Sequence, residues 1–180
     1  MQNSIAERQI KRLVFSALLS AMSIVLGKYL AFNVGTLLRF SLENLPIIFA
    51  GAAFGPITGL LVGVAADLIG CLMVGYEINP IITVGAGVIG LVAGVYRYIG
   101  GEERALLRLA VIVFFSHFIG SVLIKTLGLH MYYDTPFMIL LLWRVVNYLT
   151  VATVEWLILY RLIENKSIKA QIKILRGSKR

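Results

Sequence analysis

Charged residues are scarce in this 180-residue chain: they make up 14% of it, whereas soluble domains average about 25%. Hydrophobic residues make up 59%, and the mean hydropathy is +0.87. The composition therefore excludes an ordinary soluble protein. It predicts a single integral membrane domain that spans residues 1–180, with no room for a separate soluble module.

Reactive and metal-binding residues are also few. Cys71 is the only cysteine, so an internal disulfide is impossible, and the two histidines, His117 and His130, lie on different segments. The sequence has no HExxH motif and no glycine-rich loop ending in Gly-Lys-Ser/Thr. We therefore expect no catalytic residues, no metal site, no cofactor and no ATPase activity of its own. An enzyme is the least favoured class.

Negative charge is limited to nine Asp and Glu residues, against 17 Lys and Arg. Thirteen of these cations lie in three regions, 8–12, 97–108 and 161–180. Basic residues collect on the cytoplasmic side of membrane proteins, where they face anionic lipid headgroups, so we expect membrane lipid and not nucleic acid as their partner. The four remaining cations, expected toward the opposite side, are Lys28, Arg39, Lys125 and Arg144.

Apolar segments predict an all-α integral membrane protein with six transmembrane helices and cytoplasmic N- and C-termini, because a span needs about 20 apolar residues. Gly55-Pro56 divides one long apolar run, since proline disfavours helix at the preceding residue; one long bent helix is the alternative. An even number of spans places all three basic regions on one side, including a basic cytoplasmic tail at 165–180. The predicted spans are 11–32, 44–54, 56–73, 81–99, 105–127 and 136–164.

Small residues recur every four positions in the second to fourth apolar segments. Such small-xxx-small runs let helix backbones approach closely in lipid. We therefore expect internal helix packing at these positions, which are Gly51, Gly55, Gly59, Gly63, Ala86, Gly90 and Gly94.

Polar residues predicted at similar depth in the outer half of the membrane indicate a ligand pocket. Arg144 and Asn147 are three residues apart, and Trp143 lies four before Asn147, so all three fit one face of the sixth span. Trp143 and tyrosines could stack a ring, Asp67 and Asn147 could match a heterocycle edge, and the cations could receive carboxylates. A buried Asp67–Arg144 ion pair is the alternative. The candidate binding residues are Arg39, Asp67, Tyr76, Glu77, Lys125, Trp143, Arg144 and Asn147.

Three other polar residues have simpler interpretations. Lys28, near the outer end of the first span, is expected to extend its amine to the membrane interface. His117 is expected to be a packing histidine. Glu155 lies deep in the last span and either pairs with a neighbour or contacts a partner subunit.

The block RFSLENLPIIFAGAAFGPITGLLVGVAADLIG (39–70) resembles the substrate-binding S components of energy-coupling factor transporters, most closely the folate-specific branch. Its Leu-Pro, Phe-Gly-Pro and Ala-Asp-Leu-Ile-Gly elements carry the resemblance, which extends over nearly the whole chain. The resemblance implies a protein of the prokaryotic cell membrane that binds a vitamin, here folate, from outside. It also implies assembly with a transmembrane T component and two ATPases, and toppling of the S component to deliver the vitamin.

The resemblance also implies roles for particular segments. In this family an Ala-xxx-Ala motif on the first helix contacts the T component, and Ala17 and Ala21 match it, reinforced by Ser16 and Ser20. On spacing alone these residues would indicate internal packing. The loops 33–43 and 74–80 are expected to cover the pocket entrance.

Other functions remain open on the sequence alone. An S component for riboflavin, thiamine, biotin or pantothenate would share much of the pattern. A membrane scaffold without a small ligand would explain the glycines equally well, but not the buried polar residues. A self-contained secondary transporter is less favoured, because no inverted repeat is evident.

Overall fold

A computed structural model describes residues 2–34, 38–99, 105–133 and 136–176 of the chain, and most of these residues are helical. The helices are α1 (Gln2–Ile24), α2 (Asn44–Phe54), α3 (Pro56–Val74), α4 (Pro80–Ala93), α5 (Ala105–His117), α6 (Lys125–Tyr133), α7 (Phe137–Glu164) and α8 (Lys166–Arg176). π-Helical turns extend α1 over Val25–Tyr29 and join α5 to α6 over Phe118–Ile124, and a 3₁₀ turn extends α4 over Gly94–Arg97. Strands β1 (Phe32–Val34) and β2 (Leu38–Phe40) form an antiparallel hairpin between α1 and α2.

Five helices in the described residues are long and apolar enough to cross a membrane. They are Ile5–Tyr29, Pro56–Val74, Pro80–Arg97, Ala105–Tyr132 and Phe137–Glu164. The sixth predicted segment, α2, has 11 residues and spans about 16 Å, roughly half the hydrocarbon thickness.

The short helix α2 lies at the centre of the fold. Every residue from Asn44 to Phe54 is buried except Phe49, which is half-buried. Gly55 ends the helix at φ 104°, a conformation that favours glycine, and Pro56 then occupies the first turn of α3. The structure therefore has two helices here, as the Gly-Pro pair predicts, and not one bent helix.

Close backbone approach between α3 and α4 explains the glycine spacing. A Cβ atom added at Gly59 would overlap the carbonyl oxygen of Gly90, and one added at Gly90 would overlap that of Gly59. Gly63 lies in the same way against the carbonyl of Ala86. The prediction of internal helix packing at these positions is confirmed.

Three arginines converge on the carboxyl end of α2, at what we call the basic end of the molecule. Arg12 of α1 and Arg97 after α4 both donate to the carbonyl of Phe54, at 2.5 and 3.0 Å. Arg176 of α8 donates to the carbonyls of Ala53 and Ala52, at 2.6 and 2.8 Å. These contacts satisfy carbonyl groups that the end of a helix leaves without partners.

Most of the segment predicted as a basic tail is helical. Residues Lys166–Arg176 form the amphipathic helix α8, which buries Ile172 and Leu175 against the core, while residues 177–180 lie outside the described part. The basic charges of this segment had not indicated a helix.

A buried hydrogen bond joins α5 to α7. His117 Nε2 lies 2.6 Å from Glu155 Oε2, and both side chains are almost completely buried. Glu155 therefore has a partner within the chain, and His117 is buried as expected. The pair offsets part of the cost of placing polar groups among apolar helices.

Candidate functional site

A cavity of about 430 Å³ lies at the end of the molecule opposite the arginine contacts, which we call the cavity end. Four cations and three carboxylates line it. Its polar wall is Lys28, Arg39, Ser41, Glu43, Asp67, Glu77, Asn79, Lys125, Arg144 and Asn147. Its remaining wall is Cys71, Tyr76, Ile82, Leu129, Leu140 and Tyr148.

An ion pair between Glu43 and Lys125 forms the charged floor of the cavity. Lys125 Nζ lies 3.0 Å from Glu43 Oε1, and the lysine side chain is 6% exposed. Burial raises the pKa of the Glu43 carboxyl, but Lys125, with Lys28 and Arg39 behind it, outweighs burial and lowers the pKa to about 2. Glu43 is therefore ionised at neutral pH, and Lys125 provides its counter-charge.

The β-hairpin is fastened over the cavity through Arg39. The Arg39 guanidinium donates to the carbonyl of Gly27 at the end of α1, and Asn147 Nδ2 of α7 donates to the carbonyl of Arg39 at 2.8 Å. These two contacts connect the hairpin to helices on both sides. Residues 35–37, at the tip of the loop expected to cover the entrance, lie outside the described part.

Arg144 and Tyr148 form a stacked unit on the cavity face of α7. The Arg144 guanidinium carbon lies 5.6 Å from the Tyr148 ring centroid, and Arg144 Nη1 donates to the carbonyl of Ser121 at 2.9 Å. The other face of the unit rests on His117, whose ring centroid is 5.4 Å from that of Tyr148. Arginine has five N–H donors, so Arg144 retains donors for a ligand.

Asp67 is held by a hydroxyl group and not by a cation. Thr83 Oγ1 donates to Asp67 Oδ2 at 2.6 Å. Within the described residues no ion pair joins Asp67 to Arg144, so the ion-pair alternative is not realised. The other Asp67 oxygen and Asn147 Oδ1, which is buried without a hydrogen-bond partner among the described residues, supply acceptors at the site.

Seven of the eight predicted site residues line the cavity: Arg39, Asp67, Tyr76, Glu77, Lys125, Arg144 and Asn147. Trp143 does not, and its side chain is 43% exposed on the outer surface of α7. The aromatic position on the cavity face is Tyr148, four residues after Arg144. The spacing of Leu140, Arg144, Asn147 and Val151 could have identified this face.

Lys28 and Glu43 are cavity residues that sequence reasoning did not assign. Lys28 Nζ lies 3.6 Å from Cys71 Sγ and 5.4 Å from the Tyr76 ring centroid. The Lys28 amine thus lies at the cavity wall, where the Tyr76 ring offers it a cation–π contact, while its level relative to the membrane interface stays a prediction. Two features of the sequence could have identified Glu43. It is a carboxylate directly before an apolar segment, and the four cations that topology left unexplained need a counter-charge.

A second surface, the α1–α3 groove, carries the Ala-xxx-Ala motif. Ala17 and Ala21 are exposed and line it together with Ser16 and Ser20. Ser20 is buried, and its hydroxyl donates to the carbonyl of Ser16 at 3.1 Å, so the alanines form the accessible part. Residues of α3, including Leu61, Ile69 and Met73, form the other wall.

Comparison with known families assigns this architecture. The family model described as "ECF transporter, substrate-specific component" matches residues 11–163, most of the chain. The chain belongs to this family. The S component therefore has the membrane fold and the transport role of the family, and the resemblance recognised in residues 39–70 is confirmed.

A solved structure has the same fold as this S component. The structure described as "Crystal structure of FolT bound with folic acid" superposes with a TM-score of 0.69, covering 84% of this chain and 92% of that chain at 20% sequence identity. At this identity the likeness establishes the fold alone. No curated protein sequence matches the S component significantly.

Proposed function

We propose that this S component binds folate from the outer side of a prokaryotic plasma membrane and delivers it inward with a T component and two ATPase subunits. The observation that carries the proposal is the cavity, because about 430 Å³ falls within the range of pockets that enclose one small organic ligand. The S component itself carries no phosphate loop, so ATP hydrolysis is assigned to the partners and not to this chain.

The chemistry of the cavity wall favours a folate. The two carboxylates of a folate suit Arg39 and Arg144, since each guanidinium has donors beyond those used on backbone carbonyls. The donor-rich edge of a pterin suits Asp67 and Asn147, which offer acceptor oxygens. Its ring suits Tyr148 or Tyr76, with the cations adding to ring stacking.

We propose six membrane crossings, of which α2 is a short one. A helix of 11 residues does not reach across a bilayer exposed to lipid, but α2 is enclosed by the other helices. The arginines of the basic end bind the carbonyl groups at its carboxyl end, and its amino end lies at the cavity. The basic clusters assign the basic end, with both termini, to the cytoplasm.

Calorimetric titration of the purified protein in detergent tests the ligand assignment. We expect one-to-one binding of folate without ATP or partner proteins, and no heat from riboflavin, thiamine or biotin at the same concentration. Heat from another vitamin and none from folate would contradict the substrate while retaining the S-component role. Folded protein that binds none of the four would contradict the proposed function.

We propose that the α1–α3 groove receives the T component. Replacement of both Ala17 and Ala21 by tryptophan should fill the groove and reduce co-purification with the T component at least tenfold, because small residues there allow close helix approach. Folate titration provides the control for folding, since neither Ala17 nor Ala21 lines the cavity.

A matched control lies on the same helix. Leu18 and Met22 are exposed, have the same four-residue spacing and do not line the groove. Their double tryptophan variant should assemble normally. Equal loss of assembly in both double variants, or in neither, would contradict this surface as the contact.

A further inference from the structure

A second cavity, distinct from the ligand cavity, lies at the basic end. It has a volume of about 630 Å³ and lies between α8, the end of α7 and the start of α5. Cationic side chains from two helices line it: Arg108 of α5, and Lys169, Lys173 and Arg176 of α8. The proposed folate site does not use this cavity.

Positive charge at this cavity exceeds the negative charge of the described residues around it. Glu164 is the one described carboxylate in the lining, and it already lies 2.8 Å from Lys169 Nζ. Burial, and then the neighbouring Arg97 and Arg12, lower the pKa of the Arg176 guanidinium, with Tyr96 acting in the opposite sense. Like charges held together in this way favour a bound anion.

Arg176 and Lys173 retain hydrogen-bonding capacity. Arg176 uses Nε and one Nη2 proton on the carbonyls of α2, which leaves three of its five donors. The exposed Lys173 forms no hydrogen bond or ion pair with another described residue. Arginine and lysine placed together in this way suit the tetrahedral oxygens of a phosphate group.

The position of the cavity indicates where that phosphate comes from. The apolar segments end beside it, at Arg97 for α4 and Glu164 for α7, and a bilayer has its headgroups at that level. Beyond the cavity, α5 presents an exposed apolar ridge formed by Leu107, Val111 and Phe115, which are spaced four residues apart. Acyl chains can lie along this ridge.

We propose that the basic-end cavity binds the phosphate group of an anionic glycerophospholipid. Its headgroup lies among Arg108, Lys173 and Arg176, and its acyl chains lie along the α5 ridge. The bound lipid supplies the anion that the described residues at this end lack, and it fastens α8 to the helix bundle.

Thermal unfolding and native mass spectrometry test the proposal. The full-length protein is placed in phosphatidylcholine nanodiscs with and without phosphatidylglycerol of the same acyl chains. We expect phosphatidylglycerol to raise the melting temperature and to be retained on the protein. Inorganic phosphate in the buffer distinguishes a lipid headgroup from a free phosphate ion. An equal rise in melting temperature from phosphate alone would overturn the lipid assignment in favour of a free anion.

The variants Lys173→Gln and Lys166→Gln locate the site. Both remove one exposed positive charge from α8, but Lys166 does not line the cavity. We expect Lys173→Gln to weaken phosphatidylglycerol retention about tenfold, the effect of one lost charge-assisted contact, and Lys166→Gln to leave it unchanged. Equal effects of the two variants, or no effect of phosphatidylglycerol on the wild type, would overturn the proposal. Folate titration confirms that each variant is folded.

Discussion

Replacing Lys125 with methionine is expected to abolish high-affinity ligand binding and to destabilise the protein by about 3 kcal/mol. Methionine fills a similar volume but removes the counter-charge 3.0 Å from Glu43. Glu43 is then left at the cavity floor without the partner that lowers its pKa, and the cavity loses one of its four cations for the carboxylates of a folate. We expect the dissociation constant to rise at least 100-fold by titration calorimetry, and the melting temperature to fall.

Two controls isolate the charge effect. The double variant Lys125→Met/Glu43→Gln removes both charges, so it should recover most of the stability and bring affinity to within about tenfold of the wild type. Lys11→Met breaks an exposed pair with Glu7 and should change neither property, because water screens that pair. Unchanged folate affinity in Lys125→Met would place the binding site elsewhere.

Replacing Gly59 with alanine is expected to separate α3 from α4 and to destabilise the protein by about 3 kcal/mol, at the upper end of the cost of overpacking. The added methyl group would overlap the backbone carbonyl of Gly90, which cannot move without shifting its helix. We expect a lower yield of folded protein and a large fall in melting temperature in detergent.

The same substitution elsewhere in α3 provides the comparison. At Gly70 the nearest atom to an added Cβ is Cε of Lys28, at 3.0 Å, and a flexible lysine side chain can move aside. Gly70→Ala should therefore be neutral or slightly stabilising, because alanine favours helix over glycine by about 1 kcal/mol. Similar melting temperatures for the two variants would show that close backbone approach at Gly59 is not required.

Much of the architecture could be predicted because lipid restricts the possible solutions. Long apolar segments favour helices in a bilayer, and Gly55-Pro56 interrupts such a helix. Hydropathy and these two residues were therefore enough to predict the separate helices α2 and α3. The small-residue spacing predicted close internal helix packing, and the structure has this packing between α3 and α4. Six spans were predicted, and five described helices are long enough to cross a membrane. The difference is α2, whose 11 residues are apolar enough for a span but too few to cross a bilayer.

The cavity could be predicted as a set of residues but not as a geometry. Cations that topology left unexplained identified Arg39, Lys125 and Arg144, all of which line it. Trp143 was misplaced because adjacent positions on a helix differ by about 100°, so a residue next to Arg144 can face the surface. The Glu43–Lys125 pair joins residues 82 apart in the chain, and no local pattern indicates such a contact.

Helix α8 was missed for a different reason. Its sequence from Lys166 to Arg176 mixes apolar residues with four basic ones and appears as a continuation of a basic run. Ile172 and Leu175 stabilise it only by packing against the rest of the fold, and this tertiary contribution is absent from a count of charges.

The buried helix α2 has a consequence for membrane permeability. Its side chains are packed from the cavity to the arginine contacts, and Ile48 and Ala50 are completely inaccessible to water. The cavity therefore ends at a tightly packed helix, and packing of this density leaves little room for water or ions to pass. Because Arg12, Arg97 and Arg176 hold the carboxyl end of α2, a channel through it would have to break those contacts, which favours the toppling that the family resemblance implies.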